Sequence, residues 1–279
     1  MEIGVDVLPH FPKDTTDRNR TSPFAFTGNK FEFRMPGSKL SVAGPNTVLN
    51  TIVADVLDQF ADELEKADNF QDALDDLIKR TIKENQNIIF NGNGYSDEWP
   101  VEAEKRGLPN CKSIVDAIPA LVDDTTVEMY EKFNVLSKAE LEAREDILFE
   151  QYAGVRNIEA LTMIEMANKM IIPAAVKYTK KLADTVIAVK EAGADASVQA
   201  DMLSEVSGKL AEMKTAVKAL EEVTAKAADA ECIKCKAEEY KDDVMAAMAE
   251  LRKPADELEL IMPKELWPMP TYGDLVFEL

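Results

Sequence analysis

At 279 residues with 46% apolar side chains, the chain is long enough to bury the core of one large domain or two modest ones. A formal charge of −20, with a sequence pI near 4.5, argues against a general grip on nucleic acid or on anionic membrane, because such a surface repels both. The acid is unevenly placed: residues 1–39 carry six Lys/Arg against five Asp/Glu, leaving 26 basic and 47 acidic residues for the remainder.

Residues 1–44 are rich in Pro, Gly, Phe and Thr and read as strands and loops. Phe24-Ala-Phe26 and Phe31-Glu-Phe33 alternate on either side of Gly28-Asn29, which predicts a β-hairpin. Strand side chains alternate faces, so Phe31 and Phe33 fall on one side while Lys30, Glu32 and Arg34 share the other. From Pro45 the pattern turns helical: Val48, Ile52, Val53, Val56, Leu57, Phe60 and Leu64 have the spacing of a buried stripe. A second helix is expected over residues 70–90, with Leu74, Leu77, Ile78 and Ile82. The loop Asn91-Gly92-Asn93-Gly94-Tyr95 follows.

Short helices are expected near residues 98–106 and 112–133. Ser137-Lys-Ala-Glu140 then has the form of a capping box opening a long helix. In that helix Leu161, Ile164, Ile171, Tyr178, Leu182 and Val189 trace a near-heptad stripe, interrupted at Asn168 and bent at Pro173. Gly193-Ala-Asp-Ala-Ser197 breaks it. Leu203, Val206, Leu210, Met213, Val217 and Leu220 mark the next helix, and Tyr240, Val244, Ala247 and Leu251 a third. Short breaks between such stripes predict a helical hairpin or an antiparallel three-helix bundle over about 137–252. The tail 266–279 reads as non-helical, and its aromatics suggest that it docks back on the body. The fold class is α+β, mainly α: a short N-terminal hairpin ahead of a helical body.

Three cysteines give no disulfide framework, no apolar run approaches a membrane span, and the first ten residues lack the regions of a signal peptide. A reducing cytoplasm is the expected location. Cys232-Ile-Lys-Cys235 is open to a redox pair or half a zinc site; without a second Cys or His pair, structural or incidental thiols are the expected reading. Asn91–Gly94 is expected to be a turn rather than a phosphate cradle, since no Gly-Lys-Ser/Thr follows. His10, between Pro9 and Pro12, is expected to pack in a loop.

The strongest chemical constellation is Arg18-Asn-Arg20-Thr-Ser-Pro23 followed by Lys30-Phe-Glu32-Phe-Arg34. Glu32 is the only acid between Asp17 and Asp55. One carboxylate among several cations suits a polyphosphate site, where guanidinium forks neutralise oxygens and the carboxylate holds the accompanying divalent ion. A salt-bridged strand pair on a sheet surface is the plainer alternative.

The stretch from Leu8 to Gly37, LPHFPKDTTDRNRTSPFAFTGNKFEFRMPG, resembles the type III branch of the glutamine synthetases. So do Ile88–Trp99 (IIFNGNGYSDEW), Asn157–Thr162 (NIEALT) and Glu265–Asp274 (ELWPMPTYGD), in family order. The resemblance implies synthesis of glutamine from glutamate, ammonia and ATP through γ-glutamyl phosphate, with Mg or Mn. It implies that Glu32 is a metal ligand on the ATP side. It also implies that Arg34 is the catalytic arginine meeting glutamate and the transferring phosphoryl group, and that Arg20 contacts ATP phosphate; Lys30, on the strand face of Glu32 and Arg34, is a further candidate for binding the cofactor. Where more familiar branches carry a further arginine, five residues after the Arg20 equivalent, this chain has Ala25, so that contact is absent or supplied elsewhere.

No paired-glutamate metal segment and no glycine-and-histidine nucleotide segment are found in the chain. The sequence is therefore expected to begin inside the catalytic domain, with Met1 supplied by cloning or by a partial gene. Residues 1–44 would be the β-rich end of that domain, 45–265 a helical C-terminal domain, and 266–279 the docking tail. The implied partners are neighbouring subunits of a homo-oligomeric ring, with no nucleic acid and no membrane. The chain alone is expected to be inactive. The alternative is a helical assembly module with no catalytic role of its own, whose arginine-rich head pairs with its own acids.

Overall fold

A computed structural model describes residues 24–26, 30–34, 37, 40–90, 93–94 and 96–277. His10, Arg18, Arg20, the Gly28-Asn29 turn and Asn91-Gly92 lie outside the described residues. The described chain is mainly α with a short β-hairpin, and it divides into two units. None of its helices is long and apolar enough to cross a membrane.

The first unit comprises residues 1–112 and 124–137. Its hairpin pairs β1 (Phe24–Phe26) with β2 (Phe31–Phe33) antiparallel, in the register Phe24↔Phe33, Ala25↔Glu32, Phe26↔Phe31. Helix α1 (Ala43–Glu65) begins two residues before the expected Pro45. Proline is tolerated there because first-turn amides have no intrahelical partner. Helix α2 (Phe70–Glu84) is capped by Asn69, whose side chain accepts from the amides of Gln71 and Asp72. It stops six residues short of the expected end, and a 3-10 turn (Gln86–Ile88) follows. Helix α3 (Glu98–Lys105) and helix α5 (Asp124–Lys132) complete the unit, after α4 (Ile114–Ala117), which belongs to the second. The helix expected over 112–133 is thus divided. Ser113 caps α4, and Ile118–Leu121, with Pro119 near its start, tightens into a 3-10 turn.

The apolar stripe of α1 is not buried as the spacing suggests. Thr51 is its only buried residue, while Ile52, Val56 and Leu57 are exposed. Periodicity marks a face, but burial needs a partner that covers it. The helices packed on α1 are tied to it by charge: Arg80 of α2 makes a forked pair with Glu63 at 3.1 and 2.6 Å, and Lys132 of α5 reaches Asp55 and Asp58 at 2.8 and 2.9 Å.

The second unit, residues 113–123 and 138–279, is built on three helical rods. The first runs 54 residues through α6 (Lys138–Met166), a π turn (Ala167–Ile171) and α7 (Ile172–Glu191). The π turn ends two residues before Pro173, which has no amide to donate to the turn below it, and the extra residue of a π turn accommodates such a lost bond. Gly193, at φ 76°, ends the rod in the left-handed region, and Asp195 accepts from the Ser197 amide as α8 (Ser197–Ala228) starts. The third rod comprises α9 (Ile233–Glu239), a second π turn (Tyr240–Val244) and α10 (Met245–Ile261).

Met213, Val217 and Leu220 of α8, all at 0% exposure, form the core with Val244, Leu251 and Leu258 of the third rod. The first rod meets them through Ala153, Ala160, Ala167 and Ala174, a heptad of alanines, and then through Tyr178 and Leu182. Leu161, expected in the stripe, is exposed. Asn168, the expected interruption, reaches across the rods: its amide donates to Glu221 at 3.2 Å and its oxygen accepts from Lys214 at 3.1 Å.

The tail packs Trp267 into the same core, at 8% exposure. It is not wholly non-helical, since α11 spans Tyr272–Phe277. Thr271 and Asp274 account for the start of that helix. Asp274 accepts from the Thr271 amide and hydroxyl at 2.8 Å each, while the Asp274 amide donates to Thr271 Oγ1 at 3.4 Å.

Candidate functional site

The hairpin carries the candidate site because of the strand's period of two. On one face Phe24 stacks on Phe31, with ring centroids 4.8 Å apart and planes 13° from parallel. On the other, Glu32 and Arg34 lie two residues apart and come within 3.5 Å, with side chains 25% and 17% exposed. Lys30 is exposed at the head of β2, and Arg20 lies outside the described residues. The structure therefore brings Glu32 and Arg34 together, flanked in sequence by Lys30, and says nothing of Arg20.

Partial burial matters to what this pair can do. A carboxylate and a guanidinium withdrawn from bulk water act more strongly on a neighbouring charge than the same groups fully solvated. A Mg or Mn ion takes about six oxygen ligands. Among the described residues no three His, Cys, Asp or Glu side chains gather as a metal site, around Glu32 or elsewhere.

Two further arrangements were not visible in the sequence. Near the Asn91–Gly94 loop, Phe90 stacks on Trp99 at 4.1 Å, and the Arg106 guanidinium lies 5.8 Å from both ring centroids. Arg106 also donates to the Ile89 carbonyl at 2.8 Å and, through Nε, to Glu102 at 2.7 Å. One cation thus ties α3 to both ends of a segment that resembles the family. The second arrangement is the Asn157–Thr162 segment. Asn157 Oδ1 accepts from the Tyr240 hydroxyl at 2.9 Å, and burial pushes the Tyr240 phenol above its ordinary range, which keeps it a donor. Both residues line a cleft of about 280 Å³ with Glu150, Glu231 and Lys236. The only cue in the sequence was that both segments belong to stretches of resemblance.

The tail is held by charge as well as by Trp267. Lys181 pairs with Glu265 at 2.9 Å, and Lys264 pairs with Asp274. Lys264, together with the Thr271 donors, holds the Asp274 carboxyl down to about 2.

Comparison with known proteins gives a consistent result. Residues 73–190 match the family described as glutamine synthetase C-terminal domain. Over 286 residues the chain is 36% identical to the type-3 glutamine synthetase of Dictyostelium discoideum, covering 99% of this chain. Over 280 residues it is 38% identical to the glutamine synthetase of Butyrivibrio fibrisolvens, covering 96% of this chain. Over 287 residues it is 32% identical to that of Bacteroides fragilis (strain YCH46), covering 99%. In each case the chain spans 39% of the relative's length.

Proposed function

We propose, on the premise that this chain belongs to the type III glutamine synthetases, that it supplies one wall of the site where that enzyme joins ammonia to glutamate at the expense of ATP. The whole protein's activity is glutamate–ammonia ligation through γ-glutamyl phosphate, carried out in a homo-oligomeric ring in the cytoplasm. The chain's own share is the strand face of β2, with the divisions at 44/45 and 265/266 separating this wall, the helical body and the tail.

Arg34 holds its planar fork toward the transferring phosphoryl group and the substrate carboxylate. Phosphoryl transfer asks a protein for positioning and charge stabilisation more than for covalent help. Lys30 and Arg20 neutralise ATP phosphate. Glu32 would offer one oxygen to the divalent ion, Mg or Mn, which would neutralise the polyphosphate, and it lies within 3.5 Å of the Arg34 guanidinium. The observation that carries this reading is the half-buried Glu32–Arg34 pair on one strand face, within the span over which the chain matches the relatives.

The same ion pair favours a second reading, in which the head pairs with its own acid and the helices act as an assembly module. Substitution in the full-length protein separates the two. Glu32→Ala is expected to abolish metal-dependent turnover with circular dichroism and assembly size unchanged; unchanged turnover removes Glu32 from the site and favours the assembly module. The 279-residue chain alone is expected to show no γ-glutamyl transfer, and turnover by it would overturn the division of labour.

A further inference from the structure

Cys232 and Cys235, expected as thiols, are joined as a disulfide, with Cα atoms 5.1 Å apart. That separation is within the ordinary range for bridged cysteines, and it is close to the distance between residues three apart in a helical turn. The bond therefore spans two residues that the helix already holds together. A link across one turn tethers no distant element, so it does little for the fold, and the chain can hold either redox state on nearly the same backbone. Both residues are exposed.

We propose that Cys232 and Cys235 form a reversible dithiol/disulfide site that exchanges with low-molecular-weight disulfides and thiols of the glutathione class. The inference is independent of the synthetase reading.

The two sulfurs differ in surroundings. Cys232 stands at the N-cap of α9, where its Sγ accepts the Cys235 amide at 2.9 Å, an interaction that favours the thiolate when the bridge opens. The cleft of about 280 Å³ lined by Glu231, Ile233 and Lys236 lies beside the pair and gives a small disulfide a place to sit.

In the oxidising direction the Cys232 thiolate attacks one sulfur of the incoming disulfide, forming a mixed disulfide and releasing one small thiolate. The Cys235 thiolate then attacks the Cys232 sulfur, forming the internal bond and releasing the second. The two cysteines lose two electrons and two protons, which leave on the two small thiols. Excess small thiol drives the same steps in reverse. Cys111 is exposed and lies outside the bridge.

The test places the chain in glutathione buffers from fully reduced to fully oxidised, quenches with acid, alkylates, and maps the labelled cysteines by mass. Cys232 and Cys235 should pass together and reversibly from labelled to protected, with far-ultraviolet circular dichroism unchanged. Under oxidised glutathione, Cys235→Ser should accumulate glutathione on Cys232 at least severalfold faster than Cys232→Ser does on Cys235. Four results would overturn the proposal: labelling of both cysteines in fully oxidised buffer, protection of both under excess dithiothreitol, loss of helix on reduction, or stoichiometric zinc on the reduced pair. Peptide mapping of the unaltered chain gives the answer even where a serine variant fails to fold.

Discussion

Tyr240 donates its hydroxyl proton to Asn157 Oδ1 at 2.9 Å, joining two residues 83 positions apart. Tyr240 is 2% exposed and opens the π turn of the third rod, while Asn157 lies on α6. The bond fixes the first rod against the third at the level of the cleft beside Cys232. Tyr240→Phe leaves the Asn157 oxygen without this donor and is expected to cost about 1–2 kcal/mol. Tyr240→Phe with Asn157→Leu should lose less than the sum of the single changes. Urea unfolding of the four proteins, read as a double-mutant cycle, measures the coupling, and strict additivity would show that the bond contributes nothing.

Arg106 is expected to matter through its shape as well as its charge. Arg106→Ala removes the cation over Phe90 and Trp99 and the donor to Ile89, and should cost about 1–2 kcal/mol. Arg106→Lys keeps the charge but not the planar fork, so it should recover less than half of that loss. The unfolding midpoint and the chemical shift of the Trp99 indole proton report the change.

Asp274 predicts a pH dependence confined to the acid limb. Its carboxyl is held at about 2 against an ordinary 3.8, so its contribution is fully present above the ordinary value and is lost as pH falls through about 2. The difference in stability between the unaltered chain and Asp274→Asn should be constant from pH 7 to about 5, then shrink progressively as pH falls toward and through about 2. Urea midpoints of the two proteins across that range test it; a gap independent of pH would mean that the charge plays no part.

The bundle core and its surface should respond differently to the same truncation. Leu220→Ala, at 0% exposure, is expected to cost about 2–5 kcal/mol because the rods cannot close over the cavity. Leu260→Ala, at 85% exposure, should stay within about 0.5 kcal/mol. Denaturant midpoints distinguish the two directly.

In the full-length protein the role proposed for Arg34 requires that Arg34→Lys lower turnover by roughly a hundredfold, since a point charge cannot reproduce a bidentate donor at a developing phosphoryl charge. Steady-state assays should place the loss mainly in kcat, with the unfolding midpoint little changed. A loss confined to KM would assign Arg34 to ground-state binding alone.

Sequence by itself determined the features that covalent geometry sets locally. Strand alternation put Glu32 and Arg34 on one face, as the period of two requires. The helix break at Gly193 was legible as a glycine ahead of Asp195-Ala-Ser197, and the segments of resemblance pointed to the family. Tertiary structure alone decided which apolar faces are buried, because burial depends on a neighbour and not on spacing. None of the stripe residues of α1 is fully buried and Ile52, Val56 and Leu57 are exposed, while Ala153, Ala160, Ala167 and Ala174 form the seam of the bundle. Alanine carries little hydrophobic signal in a sequence, yet its small side chain lets two helices approach closely. The Arg106 clamp, the Tyr240–Asn157 bond and the thiol pairing likewise needed the chain folded. The first two join groups from separate segments, and the third depends on a helical turn bringing two sulfurs within bonding distance.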